Sequence, residues 1–135
     1  MNIGIRFYEK SDYEQVSKLL LDTFHYEKSN ISDSNVFEFV AVLDHQIVGY
    51  FNLCRIVDII QNIIIFHVDY VCVHEDYRNQ KIGHKMMEYA ILFAKEKGAS
   101  RMELTSGNQR IAAHKLYESL GFIKRDSSIF RKELL

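Results

Sequence analysis

Two groups of residues in this chain have the types and spacing to do chemistry. The first is Arg78-Asn79-Gln80-Lys81-Ile82-Gly83, a basic turn inside the stretch Val68 to Gly98, between an apolar-rich strand and an amphipathic helix. The first amides of a helix have no intrahelical acceptor and lie at the positive end of its dipole, so such a turn can hold a pyrophosphate mainly by backbone. Arg78, Lys81 and Lys85 add positive charge around that cradle, and His84 lies beside it. The second group is on the strand that feeds the turn. His67 and Asp69 share one face there because strand side chains alternate; Val71 and Val73 continue that face and Cys72 points to the other.

The elements that position these residues follow from apolar periodicity. Ile3 to Phe7 alternates as a strand, and Ser11 with Glu14 gives a capping-box pattern ahead of Val16, Leu19, Leu20, Thr23 and Phe24, the spacing of one helical face. Phe37 to Leu43 and Ile47 to Val57 are predicted to pair as an antiparallel hairpin across Asp44-His45-Gln46, and Asn62 to His74 is the next strand. The helix after the basic turn has Ile82, Met86, Ala90, Phe93 and Ala94 on its inner face and stops at Gly98. Arg101 to Thr105 is a further strand. A last helix presents Ala113, Leu116, Tyr117 and Leu120, and Phe122 to Arg125 and Ile129 to Lys132 close the chain as a hairpin. The expected order is β-α-(α)-β-β-β-α-β-α-β-β, with an extra short helix near residue 30.

Bulk properties bound the reading. At 135 residues, 47% of them hydrophobic, the chain has room for one domain over 1–135 with a real core. A formal charge of -1 with interspersed signs excludes the concentrated basic face of a nucleic-acid binder. No apolar run approaches the roughly 20 residues that span a bilayer, so no membrane anchor is expected. Cys54 and Cys72 lie in apolar strand-like segments and no secretory leader pattern opens the chain, which points to a reduced cytoplasm.

The turn Arg78-x-x-Lys81-x-Gly83 resembles motif A of the GCN5-related N-acetyltransferases (GNAT family), whose Arg/Gln-x-x-Gly-x-Gly/Ala opens the helix that binds acetyl-CoA. A second segment, Met102 to Phe122, is similar to the family's strand, Asn-containing turn, helix and Leu-Gly-Phe ending. The resemblance implies an α/β (α+β) GNAT fold: a mixed central sheet of six to seven strands flanked by three to four helices. It also implies acetyl transfer from acetyl-CoA, a cosubstrate, to a primary amine of a small molecule or peptide. Lys81 stands where the family has glycine; it is expected to tolerate the ordinary conformation or to shift the loop slightly.

Under that resemblance three tasks fall to the site: the amine must be neutral, the thioester oxygen must be stabilised, and the departing thiolate is best protonated. Neutralising a lysine-like amine near pH 7 costs about 4.6 kcal/mol. Asp69, His67, Glu38 or a water is the base, and the choice stays open. Backbone amides around Val71, Cys72 and Val73 would hold the carbonyl. Tyr117 matches the tyrosine that faces the CoA sulfur; a phenol near pKa ~10 protonating a thiolate near ~8.5 is uphill by only ~2 kcal/mol. Asn108 matches the asparagine that bonds the pantetheine arm, although asparagine just before a helix is also an ordinary N-cap.

Other chemistry has less support in the sequence. Cys72 is buried filler rather than a nucleophile, since nothing basic flanks it. Six histidines are scattered, and only His67 with Asp69 and His84 with Glu88 have ligand spacing, so no metal is expected. No phosphate-binding Gly-x-x-x-x-Gly-Lys-Ser/Thr occurs. The alternative function is a non-catalytic CoA-binding sensor or partner module on the same fold; a toxin acting on charged tRNA would need a basic face. Glu27, Asp33, Glu38 and Asp58 point to a cationic acceptor, and the resemblance admits a homodimer through the terminal hairpin or edge strands.

Overall fold

Branched and aromatic residues at alternate positions build the strands, and the i, i+3, i+4 apolar rows build the helices that cover them. The computed structural model describes residues 2–135. Its elements are β1 (Gly4–Phe7), α1 (Tyr13–Phe24), β2 (Val36–Leu43), β3 (Gln46–Asp58), β4 (Ile63–Val73), α2 (Ile82–Glu96), β5 (Arg101–Leu104) and α3 (Ile111–Ser119), with short 3-10 turns at Lys10–Asp12 and Glu75–Tyr77. They form two compact units, one reaching to Thr105 and one from Ser106 to Leu135.

In the first unit the sheet order is β1-β2-β3-β4-β5. The first three junctions are antiparallel and β4-β5 is parallel, so the sheet is mixed. The β2-β3 turn is the two residues Asp44 and His45, both with positive φ (49° and 65°), which matches the twist of the flanking strands. One face of the sheet meets α1 in a core of Val16, Leu19, Leu20, Val40, Ile47, Tyr50 and Cys72. The opposite face is aromatic. Phe93 of α2 lies 5.0 to 6.3 Å from the rings of Phe37, Phe39 and Phe66, which fixes the roll of α2 and hence the aim of its N-terminus.

Several expectations are corrected. The start of α1 is organised by Glu9 and Asp12 rather than Ser11 and Glu14: the Glu9 amide donates to Asp12 at 2.8 Å, and Arg6 adds a bidentate contact at 2.8 and 3.0 Å. The bond from Arg6 holds the buried Asp12 carboxyl below its usual range. No helix forms near residue 30, because side chains take the backbone groups it would use: Lys28 N–H donates to Ser17 Oγ, Tyr13 Oη to Lys28 C=O, and Asn35 N–H to Asp33 Oδ1.

The sheet holds five strands among the described residues rather than six to seven, and those residues form three α-helices. The terminal hairpin is absent. Residues 122–135 form no strand, and Ile123, Ile129 and Phe130 are 83%, 68% and 94% exposed, so the alternation there has no buried face to reward pairing. Dimerisation through that hairpin therefore has no strands to use.

At Gly49 the sheet and α2 leave no room for a side chain. A Cβ there would lie 2.7 Å from Met86 Sδ and 3.3 Å from both Ala41 Cβ and Cys72 C=O. Gly49→Ala is expected to destabilise the chain by about 1–3 kcal/mol in denaturant unfolding, since neighbouring backbone cannot yield as a side chain can.

Candidate functional site

The strand β4 does not keep its alternation. Tyr50 pairs with Cys72 while Asn52 pairs with Asp69, so β4 carries one extra residue in that interval, and Tyr70 takes a positive φ of 55°. This bulge changes the predicted faces. His67 and Asp69 share a face, as expected, but Cys72 returns to that same face and is buried against α1, while Val71 and Val73 turn to the α2 side. The Tyr70 ring packs edge-on to Phe24 at 5.2 Å, which holds the irregular residue in place.

Cross-strand pairing sets the titratable groups in rows. Glu38 pairs with Asn52 and Asn52 with Asp69; in the next row Val36 pairs with Cys54 and Cys54 with His67. His67 Nδ1 lies 3.2 Å from Asp69 Oδ2, and this contact is the main reason the imidazole pKa is raised, with partial burial acting against it. Cys54 beside them is pushed up by burial first and by the charges of Asp69 and Asp33 second, which keeps it a thiol. Glu38 accepts Tyr50 Oη at 2.6 Å and Lys28 Nζ at 2.7 Å, while Asn52 Nδ2 donates to Tyr50 Oη at 3.2 Å. Burial and Glu38 together hold the Tyr50 phenol far above its ordinary pKa.

Above this face is a cavity of about 430 Å³, lined among others by Tyr26, Lys28, Glu38, Tyr50, Asn52 and Tyr70. Glu27 and Asp33 also line it; Asp58 does not, and its carboxylate accepts the Ile60 and Gln61 amides at the β3-β4 turn. Lys28, Tyr50, Asn52 and Tyr70 were not picked out from sequence. Alternation along β3 offered a signal for Tyr50 and Asn52; Lys28, in an irregular segment, offered none.

The basic turn has the geometry of an anion cradle. Asn79 and Lys81 are both left-handed, with φ of 63° and 62°, and Lys81 is the N-cap of α2 without a side-chain cap bond. Lys81 therefore does not keep the ordinary conformation; it takes the left-handed one that glycine adopts without strain. The amides of Ile82, Gly83 and His84 face out of the helix start, no acidic residue lies in its first turn, and left-handed residues among free amides form an anion-binding nest. Gln80 and Lys85 flank it, Arg78 Nε donates to Val73 C=O at 3.1 Å, and His84 Nδ1 lies 2.9 Å from Glu88. Pairing of β4 with β5 ends at Val68-Leu104, so the edge from Asp69 to Val73 is open on that side. Backbone, charge and open edge fit a nucleotide-linked thioester such as acetyl-CoA.

In the second unit, α3 carries Tyr117, 9% exposed, with its ring edge-on to Phe122 at 5.9 Å. Burial raises the Tyr117 phenol pKa, Arg110 opposing slightly. Asn108 is exposed in the turn before α3, but the N-cap is Arg110, which overturns the capping role for Asn108. The hydroxyl of Ser106 is buried without a partner.

Residues 34–124 match the family described as "Acetyltransferase (GNAT) domain". The chain belongs to the GNAT acetyltransferase family. Relatives of this GNAT domain include a probable N-acetyltransferase camello of Xenopus laevis, 31% identical over 103 residues, covering 76% of the chain and 46% of the relative. Human N-acetyltransferase 8B is 28% identical over 106 residues, covering 76% and 45%. The chain thus spans about half the length of the curated relatives it matches. Among solved structures, a transcriptional regulator from Bacillus halodurans C-125 superposes with a TM-score of 0.86 at 25% identity, covering 98% of this chain and all of that one. A ribosomal-protein-alanine N-acetyltransferase from Brucella melitensis biovar Abortus 2308 has a TM-score of 0.84 at 19% identity, covering 98% and 100%, a likeness of fold. The five-stranded mixed sheet with three helices is accordingly a GNAT fold. His67 with Asp69 and His84 with Glu88 are pairs, and among the described residues no three metal-ligating side chains converge. No described helix is long and apolar enough to cross a membrane.

Two outcomes are expected. Lys81→Gly should raise stability by about 1 kcal/mol in denaturant unfolding, because it relieves a left-handed non-glycine residue. Asp69→Asn should return the His67 pKa toward about 6.5 in an NMR titration, since the raising contact is lost. The His67-Asp69 contact stabilises the fold fully below about pH 6.5 and fades as pH rises through the elevated folded value.

Proposed function

We propose that the chain, acting as one domain over 1–135, is an acyl-CoA-dependent N-acetyltransferase that moves an acetyl group to a primary amine by direct attack. The observation that carries this reading is the uncapped, acid-free start of α2 beside the open edge of β4, within a GNAT fold. In the reaction the amine nitrogen bonds to the thioester carbonyl carbon and the C–S bond breaks, its electron pair leaving with sulfur. The ammonium proton goes to a base and the thiolate takes a proton from an acid, so charge and protons balance.

The cofactor roles are assigned as follows. Amides from Asn79 to His84, with Arg78, Lys81 and Lys85, hold the pyrophosphate. The open edge at Val71, Cys72 and Val73 supplies the donor toward the thioester oxygen, and Asn108 bonds the pantetheine arm. The base is His67, its Nδ1 lying 3.2 Å from Asp69 Oδ2. Tyr117 is the acid; its raised pKa makes donation more uphill than an ordinary phenol, so the role depends on preorganisation. With Cys54 and Cys72 not joined in a disulfide, a reducing compartment such as the cytoplasm suits the chain.

The competing reading is a CoA-responsive module without turnover, favoured by the description of one solved neighbour, 25% identical, as a transcriptional regulator. Thiol release from acetyl-CoA with pooled primary amines separates the two: release supports transfer, and binding without release supports sensing. Tyr117→Phe is expected to lower turnover by about 10²-fold; an unchanged rate would remove it from the mechanism. The acidic limb of the rate profile should follow His67, rising with pH through the elevated pKa and moving to lower pH in Asp69→Asn.

A further inference from the structure

The cavity on the α1 side of the sheet already contains a primary ammonium, supplied by the chain itself. Lys28 Nζ lies 2.7 Å from Glu38 Oε1, 3.2 Å from Ser29 C=O and 4.6 Å above the ring of Tyr8, with only 8% of its side chain exposed. A carboxylate, a carbonyl and an aromatic face around one Nζ form a site for an organic ammonium. Glu38 is held for this task from behind by Tyr50 Oη, itself bonded by Asn52. The backbone of Lys28 is tethered to α1 through Tyr13 and Ser17, and its side chain reaches in from an irregular segment.

The position of this site is informative. Glu38 and Asp69 lie at the two ends of one cross-strand row through Asn52, so their backbones are two strand spacings, about 10 Å, apart on one face. The cavity wall beside Glu38 is largely apolar and aromatic, with Tyr26, Tyr70, Leu20 and Val36 lining it, and its remaining charges, Glu27 and Asp33, are acidic; His67 and Asp69 lie outside the lining, next to it through Tyr70 and through Asn52, the cross-strand partner of Asp69.

We propose that Glu38, Tyr50 and the Tyr8 ring form an ammonium subsite that Lys28 occupies in place of the acceptor's second cationic group. The acceptor is then a diamine-like molecule. One amine lies unprotonated at the His67-Asp69 end, an alkyl chain crosses the apolar wall, and the distal ammonium displaces Lys28 from Glu38. Lys28 competes with the acceptor and so sets a threshold that a monoamine does not overcome. The inference rests on the acetyltransferase reading for its reactive end, whereas the ammonium subsite stands on its own geometry.

The test compares cadaverine with pentylamine, equal in chain length and differing in the distal ammonium. In acetyl transfer, Lys28→Met is expected to raise the kcat/KM ratio of cadaverine over pentylamine about tenfold, and Glu38→Gln to lower it about tenfold. Variants that move the ratio in the same direction, or leave it unmoved, would overturn the proposal and make Lys28 a structural latch. Lys28→Gln, which keeps a polar head of smaller reach, repeats the measurement should Lys28→Met fold poorly. Calorimetry of cadaverine gives a reading independent of turnover: binding about tenfold tighter in Lys28→Met than in wild type and lost in Glu38→Gln supports the subsite even if no amine is acetylated. Equal binding in all three proteins would reject it.

Discussion

The one extra residue in β4, with Tyr70 held left-handed against Phe24, is the constraint on which the remaining site depends. Without it, strict alternation would send Cys72 away from α1 and bring Val71 and Val73 onto the face of Asp69. With it, Cys72 fills the α1 core while His67 and Asp69 keep their face, so one strand both anchors the sheet and presents a titratable pair. The same strand outruns its parallel partner after Val68. A bulged strand with an unpaired edge is unfavourable in an isolated sheet, and its backbone groups are then available to a ligand.

The anion cradle depends on the same economy of groups. The donors proposed for it are backbone amides of α2, aimed by the docking of Phe93 on the aromatic face of the sheet, while the charged side chains would surround rather than build it. Lys81 lies in the left-handed region that glycine occupies without strain. The cost of that conformation is small beside the core contacts of Ile82 and Met86, which fix the helix start.

Periodicity made the long elements legible: α2 with its row Ile82, Met86, Ala90 and Ala94, and the hairpin across Asp44-His45, lie where the pattern places them. It failed where local bonds override pattern. The bulge at Tyr70 carries no glycine or other marker, so the faces of Val71 to Val73 were inverted. Side-chain bonds from Ser17, Tyr13 and Asp33 replaced the helix expected near residue 30, and the closing hairpin lacked a buried face. The His67-Asp69 contact was readable from a spacing of two in a strand, whereas Lys28 on Glu38 needed the folded chain to be seen.

The central claim is that backbone at two places, the start of α2 and the open edge of β4, receives the acyl donor. It is tested most directly by following backbone amide NMR shifts while CoA is added. The account requires the largest changes at Ile82, Gly83 and His84, together with Val71 or Val73, and smaller ones along β1 and β2. Saturable shifts confined to other elements, or none at all, would contradict it.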